Sequence, residues 1–226
     1  MSSVVRSTLA EQAYEALKSQ IVSGALPAGR KLRPEELAGS LAISQTPVKE
    51  ALALLERDGL VEGSSRRGAT VRRFSLPDIE EMYAARTLLE LNAAEIGLAE
   101  GRAGEPFVMD LRAIFDEQSK VADMRTEDAL SDAIRLDREF HERFVGLAGN
   151  QIIASWHRMV LRQTQTIRNY PLVRYDVGRM RREHSAIVEA FAAGRPDAII
   201  EALRRHLDAS RDEFLSRPPE EWPVRP

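Results

Sequence analysis

The sequence contains no cysteine among its 226 residues, and this absence excludes several kinds of site. Disulfide bonds, thiolate metal sites and cysteine nucleophiles all need a residue that the chain does not have. Long apolar runs are missing as well: no stretch approaches the roughly 18 consecutive apolar residues of a membrane-spanning helix. The first six residues, 1–6, lack the apolar core of a secretory signal. We therefore expect a cytoplasmic protein with an ordinary globular core.

A strong excess of one charge is also absent, since the formal net charge is only −3. The charges are nevertheless unevenly distributed. Residues 1–73 hold 11 Lys and Arg against 8 Asp and Glu, and the rest of the chain holds the other 21 of 32 basic and 27 of 35 acidic side chains. A basic N-terminal part followed by an acidic C-terminal part is typical of a chain whose N-terminal part binds a polyanion. Ordinary scatter explains a difference of this size equally well.

The first part of the chain has the pattern of three helices and a hairpin. Apolar residues at helical spacing predict a first helix over residues 8–22. Pro34 suits the first turn of a short second helix, and a third begins within residues 44–47, capped by Ser44 or Thr46. Gly59 ends the third helix. Two short apolar runs around a Gly/Ser/Arg centre, residues 60–71, then predict a β-hairpin, so that the whole is a winged helix-turn-helix.

The chain after residues 74–77 is predicted to be entirely helical. Helical spacing and punctuating glycines and prolines predict segments at 77–100, 105–123, 126–147, 150–168, 175–193 and 196–216. The fold class is therefore mainly α, with the winged helix followed by an all-α bundle of six to seven helices. We expect a DNA-binding domain over residues 1–76, a helical domain over 77–216 and a loose proline-rich tail over 217–226.

The third helix and the hairpin carry the candidate DNA-binding residues. In a helix-turn-helix, the first turn of the second helix of the unit faces the base edges in the major groove. That turn holds Ser44, Gln45, Thr46 and Lys49: hydroxyls suit phosphate, Gln pairs with adenine, and Lys reaches guanine or phosphate. At the hairpin tip, Arg66 and Arg67 can reach a minor groove or the backbone. Helix caps and solvated surface charges are the alternative interpretation of all six.

The helical part contains a candidate metal site. Asp137 and His141 lie four residues apart, on one helical face, and His184 and His206 each lie on a separate predicted helix. One carboxylate and three imidazoles from a helical bundle can enclose Zn²⁺, Ni²⁺ or Mn²⁺. Satisfied histidines in the helices and a surface Asp–His pair are the alternative.

The N-terminal part resembles the winged-helix domain of the GntR family of transcription regulators. The resemblance covers residues 9–73, and its most specific stretch is SQTPVKEAL at residues 44–52. It implies DNA contacts from the third helix and from the hairpin, whose Gly68 belongs to the matching stretch 66–71. The family usually has Arg where this chain has Gln45 and Lys49, so a different operator sequence is expected.

Residues 78–215 resemble the FCD ligand-binding domain of the FadR-type branch of that family, with matches such as RTLLE at 86–90 and DREFH at 137–141. In metal-binding members the ligands are one Asp and three His, and the resemblance implies Asp137, His141, His184 and His206 here. His157 is at no ligand position and is expected to be structural or exposed. Arg86 matches an arginine that often faces the effector pocket, and it either binds an effector carboxylate or pairs with Glu90 at i, i+4 spacing. Arg162 and Arg168 are weaker effector candidates.

These features predict a regulator whose DNA affinity is controlled by a small organic acid bound near a divalent metal. A homodimer is expected to place two recognition helices on a palindromic operator, with repression relieved by the effector. Two other functions remain open at this point. The Asp and His residues can form a metalloenzyme site that activates water, and a winged helix can serve as a protein-interaction module.

Overall fold

A computed structural model of the chain describes residues 7–65, 68–124, 126–167 and 176–216. The chain divides into two compact units, one built from the residues up to Ser75 and the other from the helices that begin at Leu76. Within the described residues no helix is both long and apolar enough to cross a membrane. The expected tail over 217–226 and the hairpin arginines Arg66 and Arg67 lie outside the described residues.

The first unit contains the three predicted helices, α1 (Leu9–Val22), α2 (Pro34–Leu41) and α3 (Gln45–Arg57). Thr8 caps α1, because its hydroxyl accepts from the backbone N–H of Glu11 and the Glu11 side chain accepts from the backbone N–H of Thr8. This reciprocal arrangement satisfies two of the N–H groups that a helix start leaves without partners. The helices enclose an apolar core to which α3 contributes its buried stripe, Val48, Ala51, Leu52 and Leu55.

The start of α3 differs in detail from the prediction. Ala42, in the left-handed region with φ 54°, makes the tight turn that separates α2 from α3. Ser44 occupies the N-cap position, but its side chain makes no capping hydrogen bond. The side chain is exposed, so water can satisfy both the hydroxyl and the helix end. Thr46 lies inside the first turn, two positions past the N-cap. The N-cap position expected for Ser44 is confirmed, but the helix start has no side-chain capping hydrogen bond.

A small antiparallel sheet completes the first unit. The predicted hairpin is present as β2 (Val61–Ser65) and β3 (Gly68–Val71), and a third strand, β1 (Lys31–Leu32), pairs with β3 on its other edge. The sequence did not indicate β1, because two residues are too few to show an alternating pattern. Gly68 has φ 108°, and a Cβ there would lie 2.1 Å from the carbonyl oxygen of Leu32. This glycine is therefore needed for the close pairing of β1 with β3.

The second unit is helical throughout its described residues, as predicted. Its helices begin and end within two residues of the expected positions, and a short 3-10 turn at Gly146–Ala148 follows the third of them. They are α4 (Leu76–Ala99), α5 (Glu105–Ala122), α6 (Glu127–Val145), α7 (Gln151–Ile167), α8 (Val177–Ala192) and α9 (Pro196–Leu215). An apolar core takes buried side chains from α4, α5, α6, α8 and α9, and a smaller cluster joins Ala122, Ala133 and Met180. The polar residues buried inside this unit define the candidate site.

Candidate metal centre and nucleic-acid interface

Three histidines from three helices meet inside the helical unit. His141 comes from α6, His184 from α8 and His206 from α9, and all three are buried. Each offers one ring nitrogen within 4.8 Å of those of the other two. The sequence analysis grouped these histidines because they lie on three predicted helices of a bundle and match ligand positions of the FCD domain, and the structure brings the three rings together.

Hydrogen bonds fix which nitrogen of His184 and of His206 carries the hydrogen. Gln118 Nε2 donates to the carbonyl of Ala133 at 3.3 Å, which turns Gln118 Oε1 toward His184 Nδ1 at 2.8 Å. An amide oxygen can only accept, so His184 Nδ1 is the donor. The carboxylate of Glu183 lies 2.8 Å from His206 Nδ1 and accepts in the same way. In their neutral forms, both rings therefore have the lone pair on Nε2, where a metal ligand needs it.

His141 is held at Nδ1 by Glu90, whose Oε2 lies 2.9 Å away, and both side chains are fully buried. Burial raises the pKa of Glu90, but the charge of Arg86 and the nearby His141 hold that pKa well below its usual value. Burial lowers the pKa of His141 to about 4, against the opposing effect of Glu90. At neutral pH an ionised Glu90 thus accepts from a neutral His141, whose Nε2 also keeps its lone pair.

The Nε2 atoms of His141 and His206 lie only 3.2 Å apart. Two lone pairs facing each other at this distance in a buried place repel, unless a proton or a cation lies between them. Asp137 is 4% exposed and lies next to one of these histidines, with Oδ1 3.5 Å from His184 Nε2, although it is not part of the cluster in which all ligand atoms lie within 4.8 Å of one another. The donor set of three imidazoles and one carboxylate, each imidazole oriented through Nδ1, therefore fits a divalent metal of the Zn²⁺, Ni²⁺ or Mn²⁺ type.

Arg86 is buried in the same unit. The i, i+4 pair with Glu90 that the spacing allowed is present, since Arg86 Nε donates to Glu90 Oε1 at 2.9 Å, and both side chains are 0% exposed. The Tyr83 ring lies against the guanidinium, with 5.5 Å between the Arg86 Cζ and the ring centroid. Both terminal nitrogens, Nη1 and Nη2, are buried without a hydrogen-bond partner among the described residues. A buried fork of this kind is suited to binding a carboxylate.

His157 is structural rather than exposed, since it is fully buried and its Nε2 lies 2.9 Å from Glu90 Oε1. The sequence analysis missed the parts of Gln118 and Glu183 in this site. It named Glu90 as a possible partner of Arg86, but spacing did not reveal that Glu90 is buried and contacts His141 and His157. Of the weaker effector candidates, Arg162 is partly buried on α7.

Arg168, the other weak candidate, lies outside the described residues.

The DNA-binding candidates of the first unit are better defined. Ser44, Gln45, Thr46 and Lys49 are all exposed at the N-terminal end of α3, where a helix-turn-helix meets the major groove. Gly68, also a candidate, begins β3 and has the structural role described above.

Comparison with known proteins agrees with both units. Residues 9–71 match the family model of bacterial regulatory proteins of the gntR family, and residues 81–209, more than half of the chain, match that of the FCD domain. The similar solved structures include E. coli McbR/YncC, with a TM-score of 0.77 at 19% identity, covering 93% of this chain and 98% of that one. This likeness shows a shared fold.

Curated relatives agree with the family models. An uncharacterized HTH-type transcriptional regulator of Bacillus subtilis, YdhC, is 32% identical over 140 residues, which are 62% of this chain and 61% of YdhC. A probable D-xylose utilization operon transcriptional repressor of Paenarthrobacter nicotinovorans is 28% identical over 210 residues, 91% of this chain and 88% of that protein. The chain therefore belongs to the GntR family and is a DNA-binding transcription regulator, not an enzyme, with an FCD domain as its C-terminal effector-binding part.

Proposed function

We propose that this regulator binds a divalent metal through His141, His184, His206 and Asp137, and that a small carboxylate effector bound beside it controls operator affinity. The observation that carries the proposal is the convergence of Nε2 atoms, with those of His141 and His206 3.2 Å apart and each ring oriented by an acceptor at Nδ1. Acceptors at Nδ1 are the usual companions of metal-ligating histidines.

Arg86 supplies the second anchor for the effector. A metal with four protein ligands supplies Lewis acidity and open positions at which a carboxylate oxygen can bind. The Nη1 and Nη2 atoms of Arg86, buried and without a partner among the described residues, offer two parallel donors to a carboxylate. A small organic acid fits both requirements.

On the DNA side, we propose that a homodimer presents two copies of α3 to a palindromic operator. The major-groove and phosphate contacts come from four exposed side chains of α3 and its N-cap, Ser44, Gln45, Thr46 and Lys49. The hairpin residues 66–68 reach the DNA backbone or a minor groove. The effector lowers operator affinity, so that repression is relieved, and the coupling free energy is of the usual ~1–3 kcal/mol.

The two other functions have less support. Membership of a family of transcription regulators sets the metalloenzyme aside. A winged helix that only contacts protein would not release counterions from DNA, so a steep fall of operator affinity with salt concentration distinguishes DNA binding from that role.

A thermal-shift experiment on chelator-treated protein tests the metal and effector sites together. Zn²⁺, Ni²⁺ or Mn²⁺ is expected to stabilise the protein by about 2.7 kcal/mol at 100-fold excess over Kd. The shift is expected to vanish in His184→Ala and to grow further with one small carboxylate of a panel. A protein purified without metal and unshifted by all three ions would refute the metal site, and operator binding unchanged across the panel would refute carboxylate control.

A further inference from the structure

We propose that Glu90, which is not itself a metal ligand, is the positioning residue that joins the metal half and the effector half of the site. This inference rests on the proposed function. Glu90 lies on α4, one turn after Arg86, and it is fully buried with both carboxylate oxygens engaged. The resemblance includes Glu90 in the stretch RTLLE at 86–90 but implies no role for it, and its spacing from Arg86 is equally typical of a surface pair.

The two oxygens of Glu90 face the two halves of the site separately. Oε2 lies 2.9 Å from Nδ1 of His141 and so points toward the metal half. Oε1 accepts from Arg86 Nε at 2.9 Å and lies 2.9 Å from His157 Nε2, so it serves the effector half. One carboxylate therefore accepts three hydrogen bonds, and each oxygen is committed to a different part of the site.

Only a group with two acceptor oxygens can do this. The side chain of glutamine has the same shape but offers one oxygen and one NH₂. If its oxygen stays with Arg86 and His157, its NH₂ faces His141 Nδ1 and donates to it, which forces the hydrogen onto His141 Nε2. If the amide is turned round, Arg86 loses the acceptor of its Nε. Glu90→Gln thus cannot satisfy Arg86 and keep the His141 Nε2 lone pair at the same time.

The tautomer of His141 gives a direct test that needs no metal. In ¹⁵N-histidine-labelled, metal-free protein, with signals assigned from His141→Gln, we expect His141 to carry its hydrogen on Nδ1. In Glu90→Gln the hydrogen is expected to move to Nε2, in full or in part. Glu95→Gln, the same substitution on the exposed face of α4, is the matched control and is expected to leave the spectrum unchanged. A wild-type His141 with its hydrogen on Nε2 would overturn the proposal whether or not the variant folds.

Metal affinity gives the second readout. With Co²⁺ as the probe, we expect Glu90→Gln to weaken binding by about 10- to 100-fold and to alter the visible spectrum, while Glu95→Gln binds as the wild type does. Glu183→Gln, at Nδ1 of His206, is expected to lose less, because the Glu183 side chain is 17% exposed and water can replace its oxygen. Wild-type Co²⁺ affinity and spectrum in Glu90→Gln would overturn the role of Glu90. Absence of Co²⁺ binding in the wild type would instead refute the metal centre and leave the tautomer measurement to decide on Glu90.

Discussion

His141 and His206 face each other through Nε2 atoms 3.2 Å apart, although they lie on different helices, α6 and α9. The Nδ1 atom of each ring is hydrogen-bonded to a carboxylate, that of Glu90 for His141 and that of Glu183 for His206. Neither ring can turn away without giving up that hydrogen bond. The packing of the bundle therefore keeps two nitrogen acceptors in contact, and a cation between them relieves the repulsion.

The first prediction concerns the pH dependence of stability in the metal-free protein. The pKa of His141 is about 4 in the folded chain, below its usual 6.5, so between these values the unfolded chain binds a proton that the folded chain does not. The free energy of unfolding is therefore expected to fall as the pH drops from about 7 toward 4, and this loss is complete below 4. Urea midpoints across this range measure the effect.

His141→Gln provides the control for that experiment, because glutamine does not titrate and its stability is expected to vary less with pH. Glu90 does not contribute to the pH dependence of the unfolding free energy between about pH 5 and 7. Its folded pKa is lowered, so the stability it provides is lost only at pH values below the usual carboxyl pKa. Equal slopes in the wild type and His141→Gln would contradict the burial of a neutral imidazole.

The second prediction is that the metal and the effector bind with positive coupling. A carboxylate on Arg86 competes with Glu90 for the guanidinium charge, and it leaves Glu90 a stronger acceptor for His141. The coupling is expected to be reciprocal and about 5- to 150-fold. Calorimetric titration of the active carboxylate, with and without saturating Zn²⁺, measures it. Equal affinities in the two titrations would show that the halves act independently.

The third prediction concerns the recognition helix. Lys49 is exposed near the start of α3, and its contact with a phosphate releases a counterion. Lys49→Ala is expected to weaken operator binding and to reduce the slope of log K against log salt by about 0.9. Fluorescence anisotropy over a series of salt concentrations measures this slope. Lys120→Ala, an exposed lysine on α5, is the control, and a Lys49→Ala slope as steep as the wild type would contradict the phosphate contact.

The fourth prediction separates two glycines of the hairpin. Gly68→Ala places a methyl group 2.1 Å from the carbonyl oxygen of Leu32 at φ 108°, and it is expected to destabilise the protein by more than about 2 kcal/mol. Gly63→Ala also has a positive φ, 68°, but nothing lies within 4 Å, so a loss of about 1 kcal/mol is expected. Urea unfolding measures the loss of stability in both variants. Equal losses would mean that β1 shifts easily to make room for the methyl group at residue 68.

The sequence predicted the long helices and the three histidines well, because both leave a periodic signal. Amphipathic spacing predicts which face of α6, α8 and α9 is buried, and a histidine on that face must be buried too. The strand β1 left no signal, since its two residues are too few to show an alternating pattern, although Leu32 is buried in the core and both residues pair with β3. Gln118 left none either, because a neutral amide on a helix gives no hint of its partner.

Arg86 and Glu90 show the main limit of reading side-chain pairs from spacing. An i, i+4 pair of opposite charges is usually a solvated surface pair. Here it is buried because His141 and His157 approach Glu90 from α6 and α7, which are far away in the sequence. Only the packing of the bundle brings these groups together.

The depth of the histidine cluster has a consequence for how fast the site can respond. His141 and His184 are 0% exposed and His206 is 4% exposed, so an ion held by them can leave only when the helices open locally. Such openings are rare in a packed core, and exchange is accordingly expected to be slow compared with gene regulation. A metal bound here is therefore expected to exchange slowly, and its removal with a chelator to need long incubation. Arg86 is also 0% exposed, so an effector that binds it is expected to enter through the same kind of local opening.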